Sequence, residues 1–537
     1  MKMNTAARAR RGFIGLLTAG VLVASSSLAG AWAAGQAGSG SDGPGQAGPK
    51  LPAPKMGNAA RGKAIFRFET FGNEGFWTDA VRLPAGIKAA KVTPMQAMKL
   101  GISVDVDALD AATVATLKQQ LQQDPSGNSS AVLNDPKTID KLVKANAVIG
   151  MPPKGNKVGA TCALCHTITD GSLFSMANGG SIGHREDGLT NHNLNLGAIF
   201  ATAENSRALY PMLQLTLHAN GDKTFGRAPT GLTENSSEAD VDAYLNSAKD
   251  YPVGMFDDSP DGNGDQMQIQ PLFRQDLAAP FGSFGSINRL DNFSNLVYTG
   301  LLDPTNFTTP GGRAFLHILG GAAGDEIADN YVKVLKATGV KGYPFARAPR
   351  HGKPGSEDAP LGTRVNEQKL DDLNAYLASL PAPAGAQVDA QAAAHGRELF
   401  RTVSCTGCHN VDQGQPQPTF LVPMKQIFPG YNPTVLAQRK PPLDPVAHTP
   451  GSTFDLKAAI TNATIRGDIR GSALPLLLDL ARQPFFLHDD SVPSLDNLLD
   501  PTRGPQAPHP FYVPDGKDRH DVVEFLKSLD TGKQAAK

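Results

Sequence analysis

The stretch that decides the fold is Ala393-Ala394-His395-Gly396-Arg397-Glu398-Leu399-Phe400-Arg401-Thr402-Val403-Ser404-Cys405-Thr406-Gly407-Cys408-His409. Its first half spaces apolar residues three and four apart and reads as an amphipathic helix. Its second half is Cys-x-x-Cys-His. Both halves recur upstream, as Ala59-Ala60-Arg61-Gly62-Lys63-Ala64-Ile65-Phe66 and as Cys162-Ala163-Leu164-Cys165-His166. Two thiols one helical turn apart can each bond one vinyl group of a heme, and the next residue projects its imidazole at the iron as proximal ligand. All 4 cysteines of the chain lie in these two motifs. Four cysteines in an exported protein would otherwise suggest two disulfides, and a Cys-x-x-Cys alone would suit a zinc site or a redox dithiol. The histidine that follows each pair argues for heme. The expected cofactors are two covalently bound hemes (heme c), held by Cys162, Cys165 and His166 and by Cys405, Cys408 and His409.

A second repeat closes each unit. Asp371-Asp372-Leu373-Asn374-Ala375-Tyr376-Leu377-Ala378-Ser379-Leu380 aligns with His520-Asp521-Val522-Val523-Glu524-Phe525-Leu526-Lys527-Ser528-Leu529. Both read as amphipathic helices. A heme motif bracketed by a similar opening and a similar closing helix resembles the class I cytochrome c plan, in which those two helices cross. The expected fold is mostly α, with two class I cytochrome c-like domains, the first carrying large loop-rich insertions.

The expected boundaries are a signal peptide over 1–33, a disordered linker over 34–55, an N-terminal heme c domain with insertions over 56–383 and a C-terminal cytochrome c domain over 390–537. Pro381-Ala382-Pro383-Ala384-Gly385 marks the joint between the domains. Lys2, Arg8, Arg10 and Arg11, the apolar run from Phe13 to Ala29 and the small-x-small Ala31-Trp32-Ala33 make the signal. A retained membrane anchor is the other reading, but the run is short and broken by Gly15, Gly20 and Ser25 to Ser27. The expected location is periplasmic, with no stable membrane span once the signal is removed. In the second unit Phe400 precedes Cys405 by 5 residues, whereas in the first Phe66 precedes Cys162 by 96. That insertion has helical patterns near Asp105 to Gln123 and Thr138 to Val148. A further insertion, from about Asn178 to Phe345, is rich in Asn, Asp, Gly and Pro and reads as loops and short helices.

Pro484-Phe485-Phe486-Leu487-His488-Asp489-Asp490-Ser491-Val492-Pro493-Ser494-Leu495 is similar to the Pro-Tyr-Phe-His-Asp-Gly-Ser-Val-x-Thr-Leu segment of the bacterial di-heme cytochrome c peroxidase superfamily. The likeness takes in most of residues 390–532. The run from Gly62 to Trp77 resembles a large-insert branch nearer the di-heme rubber oxygenase than the compact peroxidases. Leu487 is an extra residue before His488, and Asp490 stands where the family has Gly. The resemblance implies a redox protein with a small electron-donor or electron-acceptor protein as partner.

The second axial ligand of each iron is not fixed by the motifs. For the C-terminal heme His488 is the first choice, as a metal ligand or as a group bonding a propionate. His509, Tyr512, Met424 and His448 are the alternatives. For the N-terminal heme the candidates are Met176, His184, His192, Met212 and His218, or an open position. The polar segment from Gly183 to Asn195 reads as a loop over that heme, with Glu186 and Asp187 as candidate bases. Asp257 to Asp265 places oxygen ligands at alternate positions, loosely like a calcium loop, but lacks the downstream Glu of an EF-hand. Trp77 reads as core before electron relay. Net charge −1 in 537 residues gives no basic face for nucleic acid. Three functions stay open: an oxidoreductase of the di-heme peroxidase type, a plain electron carrier with two six-coordinate irons, or a binding domain whose N-terminal heme is structural.

Overall fold

The computed structural model describes residues 55–219, 232–246, 269–276, 278, 281, 287, 289–403, 405, 409, 421–423, 471–473, 475–486, 492–504, 509 and 511–530. The described residues are mostly α, and their strands are only two or three residues long.

The first opening helix, Ala59–Phe68, begins where the Asn58 side chain accepts from the Arg61 main-chain N–H. It buries Gly62, Ile65 and Phe66 against the first closing helix, Glu367–Ser379, which Asn366 caps in the same way. The two cross at Gly62, where a Cβ would lie 2.0 Å from the main-chain oxygen of Asp372. Only a residue without a side chain lets the backbones approach that closely. One turn on, Phe66 packs on Tyr376 with ring centroids 5.6 Å apart. One residue back, Arg61 grips the Asp372 carboxylate through Nε (2.7 Å) and Nη2 (2.8 Å).

The second unit repeats this packing residue for residue. Its opening helix, Ala390–Thr402, is capped by Asp389, and its closing helix, Gly516–Lys527, by Asp515. At the crossing a Cβ on Gly396 would sit 1.9 Å from the main-chain oxygen of Asp521. Phe400 meets Phe525 at 5.5 Å between centroids, and His395 Nδ1 lies 2.7 Å from the Asp521 carboxylate. The sequence repeat is therefore a repeat of one helix crossing.

The insertions build a larger core of their own around Phe76, Trp77, Met98, Leu117, Tyr244 and Tyr331. The upstream insertion supplies helices Ala111–Gln123 and Lys137–Lys144, close to the expected runs. The downstream insertion differs from the expectation of loops and short helices. It holds two consecutive helices, Pro310–Gly320 and Ala322–Ala337, the second of 16 residues. Ile327, Tyr331, Val334 and Leu335 line one buried stripe of it, and burial of that stripe outweighs the surrounding turn-rich composition. No helix among the described residues is long and apolar enough to cross a membrane.

Candidate heme centers

The first motif lies where the larger core meets the cluster on the first helix pair. Leu164 and Cys165 face the larger core, and Cys162 belongs to the other cluster with Phe66, Phe71, Phe273, Tyr298 and Tyr376. The His166 N–H donates to the Cys162 carbonyl (3.1 Å), which closes one helical turn over the motif. Thr161 N donates to Gly150 O (3.0 Å), and Gly150, at φ +77°, passes so close that a Cβ there would be 2.2 Å from Leu164 Cα. Downstream, Asn191 N and Gly188 N donate to the carbonyls of Cys165 and His166 (2.9 and 2.8 Å). The motif backbone is thus clamped from both sides.

Cys162 Sγ lies 3.3 Å from the Tyr298 hydroxyl. Burial pushes its thiol up to about 11, against the pull of the Tyr298 contact. Burial drives the His166 imidazole down to about 4, opposed by the Gln270 main chain. The ring is therefore neutral at pH 7 and keeps a lone pair for a metal. Its Nδ1 is buried with no hydrogen-bond partner among the described residues, a cost that a ligand would relieve.

The second motif shows the same turn, with His409 N donating to Cys405 O at 2.9 Å. Cys408 lies outside the described residues. Burial lowers the His409 imidazole to about 4, and its ring stands 6.3 Å from that of Phe400. Opposite it stands His509, with ring centroids 6.2 Å apart and planes at 47°. Burial, then the adjacent His409 and Arg503, lowers His509 to about 3, and its Nδ1 is also buried without a partner among the described residues. Paired thiols with a neutral, half-buried imidazole at the end of one turn form a donor set that fits a covalently held heme, fully seen in the first motif and in its described members in the second.

His488, Met424, His448 and the Asp257 to Asp265 stretch lie outside the described residues, as do residues 1–54 of the expected signal and linker. The Tyr512 hydroxyl donates to the Gly504 carbonyl. The segment expected to loop over the first heme starts as strand instead, Arg185–Asp187 pairing antiparallel with Thr167–Thr169, Ile168 opposite Glu186, while 188–195 is turn and irregular chain. Its side chains are committed elsewhere. His184 is exposed with Nδ1 2.9 Å from Asp107, and Arg185 is buried against Asp105. Asp187 accepts from Arg67 Nε (2.5 Å), the Tyr376 hydroxyl (2.6 Å) and Thr167 Oγ1 (3.0 Å), so it ties the strand to both helices of the crossing. Glu186 points to solvent. Met176 packs on the larger core and Met212 is buried on the Tyr210–Ala219 helix. His192 is half-buried, and the His218 side chain lies outside the described residues. Trp77 is core, its indole N–H donating to Leu302 O at 3.2 Å.

Two neighbors of the first motif carry no local signal in the sequence. Tyr298 comes from a π-helical turn, Val297–Leu301, and Gln270 from the far insertion. Only the tertiary fold brings them to Cys162 and His166. Interrupted helical hydrogen bonding of the kind seen at Tyr298 is frequent at functional sites.

No family model matches the chain, and no curated protein does. Hydrazine synthase of Kuenenia stuttgartiensis, in a structure determined under xenon pressure, aligns at 17% identity and a TM-score of 0.21 over 31% of this chain. The aligned part spans 57% of that protein. So slight a likeness carries no inference about fold or chemistry.

Proposed function

We propose that the chain is a periplasmic di-heme c-type cytochrome that transfers electrons and acts as an oxidoreductase of the di-heme peroxidase type. The observation that supports it is the coincidence, twice in one chain, of a Cys-x-x-Cys-His motif, a half-buried imidazole lowered to about 4 and the same Gly-Phe helix crossing beside it. When bound, the two hemes would supply one-electron redox chemistry.

The residues of the chain do the rest. Cys162 and Cys165, and Cys405 and Cys408, would tether the two macrocycles; His166 and His409 would bind the irons. The clamps on the motif backbone hold the first imidazole at a fixed height. The apolar walls around Cys162 exclude water from that site, which favors electron transfer over proton leakage. The Asp187 anchor among Arg67, Tyr376 and Thr167 keeps the strand after the motif pinned to the helix crossing. The redox partner is a small electron-donor or electron-acceptor protein.

The test is the reduced pyridine spectrum of protein made in a cytochrome-maturing host, followed by carbon monoxide and peroxide. Two c-type hemes per chain, one of them shifting with carbon monoxide and with peroxide, is the expected result. Two hemes that are both unreactive would leave the plain electron carrier, and no heme would end both readings.

A further inference from the structure

Resting on the reading of residues 405–409 as a heme site, we infer that His509 is the second axial ligand of the C-terminal heme, on the face opposite His409. The two residues are 100 positions apart in the chain, yet their ring centroids are 6.2 Å apart. That spacing has a metal-bridged meaning. An imidazole nitrogen binds a first-row metal at about 2.0 Å, and the ring center lies roughly 1.1 Å farther out. Two imidazoles in line on one metal therefore place their centers about 6 Å apart. Rings joined by a direct N–H···N bond would come closer, to about 5 Å.

The surroundings of His509 agree. The ring is half-buried, and its Nδ1 is buried and unpartnered among the described residues. The residue also sits at φ +55°, a conformation few residues other than glycine adopt. Arg503, itself buried, fixes this bend by donating from Nη1 to Leu498 O (3.1 Å) and His509 O (3.4 Å). Backbone strain kept in place this way is common where a side chain must be aimed. Two imidazoles would leave the C-terminal iron no open position and lower its potential relative to a methionine-ligated heme. That heme then only relays electrons, and any reaction with peroxide or oxygen falls to the N-terminal heme.

The test compares the heme-loaded full chain with His509→Gly, His509→Met and His488→Ala. Glycine accepts φ +55° without strain, so His509→Gly removes the imidazole and spares the bend. Heme content by the pyridine method is measured first, and two hemes per chain in every variant show that attachment is intact. His509→Gly is then expected to lose the low-spin ferric signal of one heme, to gain carbon monoxide binding there, and to recover the low-spin signal with added millimolar imidazole. His509→Met should keep six-coordination and raise the midpoint potential. His488→Ala should resemble the parent. The inference is overturned if His509→Gly keeps the parent low-spin spectrum with two hemes attached, or if His488→Ala is the variant that loses it. A parent chain without heme c would instead bring down the site reading beneath it.

Discussion

Replacing Gly62 by alanine tests the helix crossing that the two units share. The new methyl group would lie 2.0 Å from the Asp372 carbonyl oxygen, where ordinary contact begins at 3.4 Å, so the crossing must open by about 1.4 Å. Forced overpacking of this kind costs about 1–3 kcal/mol. Opening also loosens the Phe66–Tyr376 ring pair, worth about 0.5–1.5 kcal/mol beyond its buried area. Against this, Gly→Ala inside a helix gains about 1 kcal/mol of propensity. The balance is a loss of about 2 kcal/mol, or roughly 30-fold in the unfolding equilibrium. Gly396→Ala should behave alike, since its methyl would sit 1.9 Å from Asp521 O. Gly516→Ala is the control: nothing lies within 4 Å, so it should be neutral or stabilizing by up to about 1 kcal/mol. Urea unfolding of the heme-loaded chain, followed by circular dichroism, reads all three. If Gly62→Ala unfolds at the same urea concentration as the parent or higher, with an unchanged slope, the two helices do not cross at that glycine and the packing argument fails.

Three further outcomes are expected. Asp372 is held down to about 2, chiefly by the Arg61 hydrogen bond. A depressed carboxylate contributes stability that is complete above its unfolded value of about 4 and is lost as pH falls toward 2; Asp372→Asn should flatten that part of a stability-versus-pH curve, and an unchanged curve would refute the assignment. Asp291 is almost fully buried between Arg289 and Arg364; Arg364→Met removes one guanidinium and leaves Arg289 on the carboxylate, so it should cost about 1.5–3 kcal/mol in denaturant unfolding, and an unchanged stability would contradict it. Tyr298→Phe deletes the hydroxyl beside Cys162 Sγ but keeps the ring on Phe71; it should leave heme attachment intact and lower stability by only about 1 kcal/mol, whereas failure to attach the first heme would give that hydroxyl a direct part in maturation.

What the sequence made legible was local or repeated. Apolar residues three and four apart within 59–66 and 393–400 announced both opening helices, because residues at that spacing share one helix face. The closing helices were readable for the same reason. The segment after the first motif was not. Residues 185–187 become strand only by pairing with 167–169, and their polar side chains look loop-like until Asp105, Arg67 and Tyr376 arrive from distant parts of the chain. The Ala322–Ala337 helix was hidden by the Gly- and Asn-rich composition averaged over its insertion, although Ile327, Tyr331, Val334 and Leu335 carry a helical period. His509 was one of several candidate ligands; only the fold sets it against His409, and no residue near it in sequence signals that position.

The most direct test of two covalently tethered hemes is the intact mass of the denatured chain from a cytochrome-maturing host, measured for the parent and for the Cys162→Ala/Cys165→Ala variant. The expected result is an excess of two heme masses in the parent and of one in the variant. An excess of none in the parent, or a mass deficit showing the cysteines paired with each other, would contradict it.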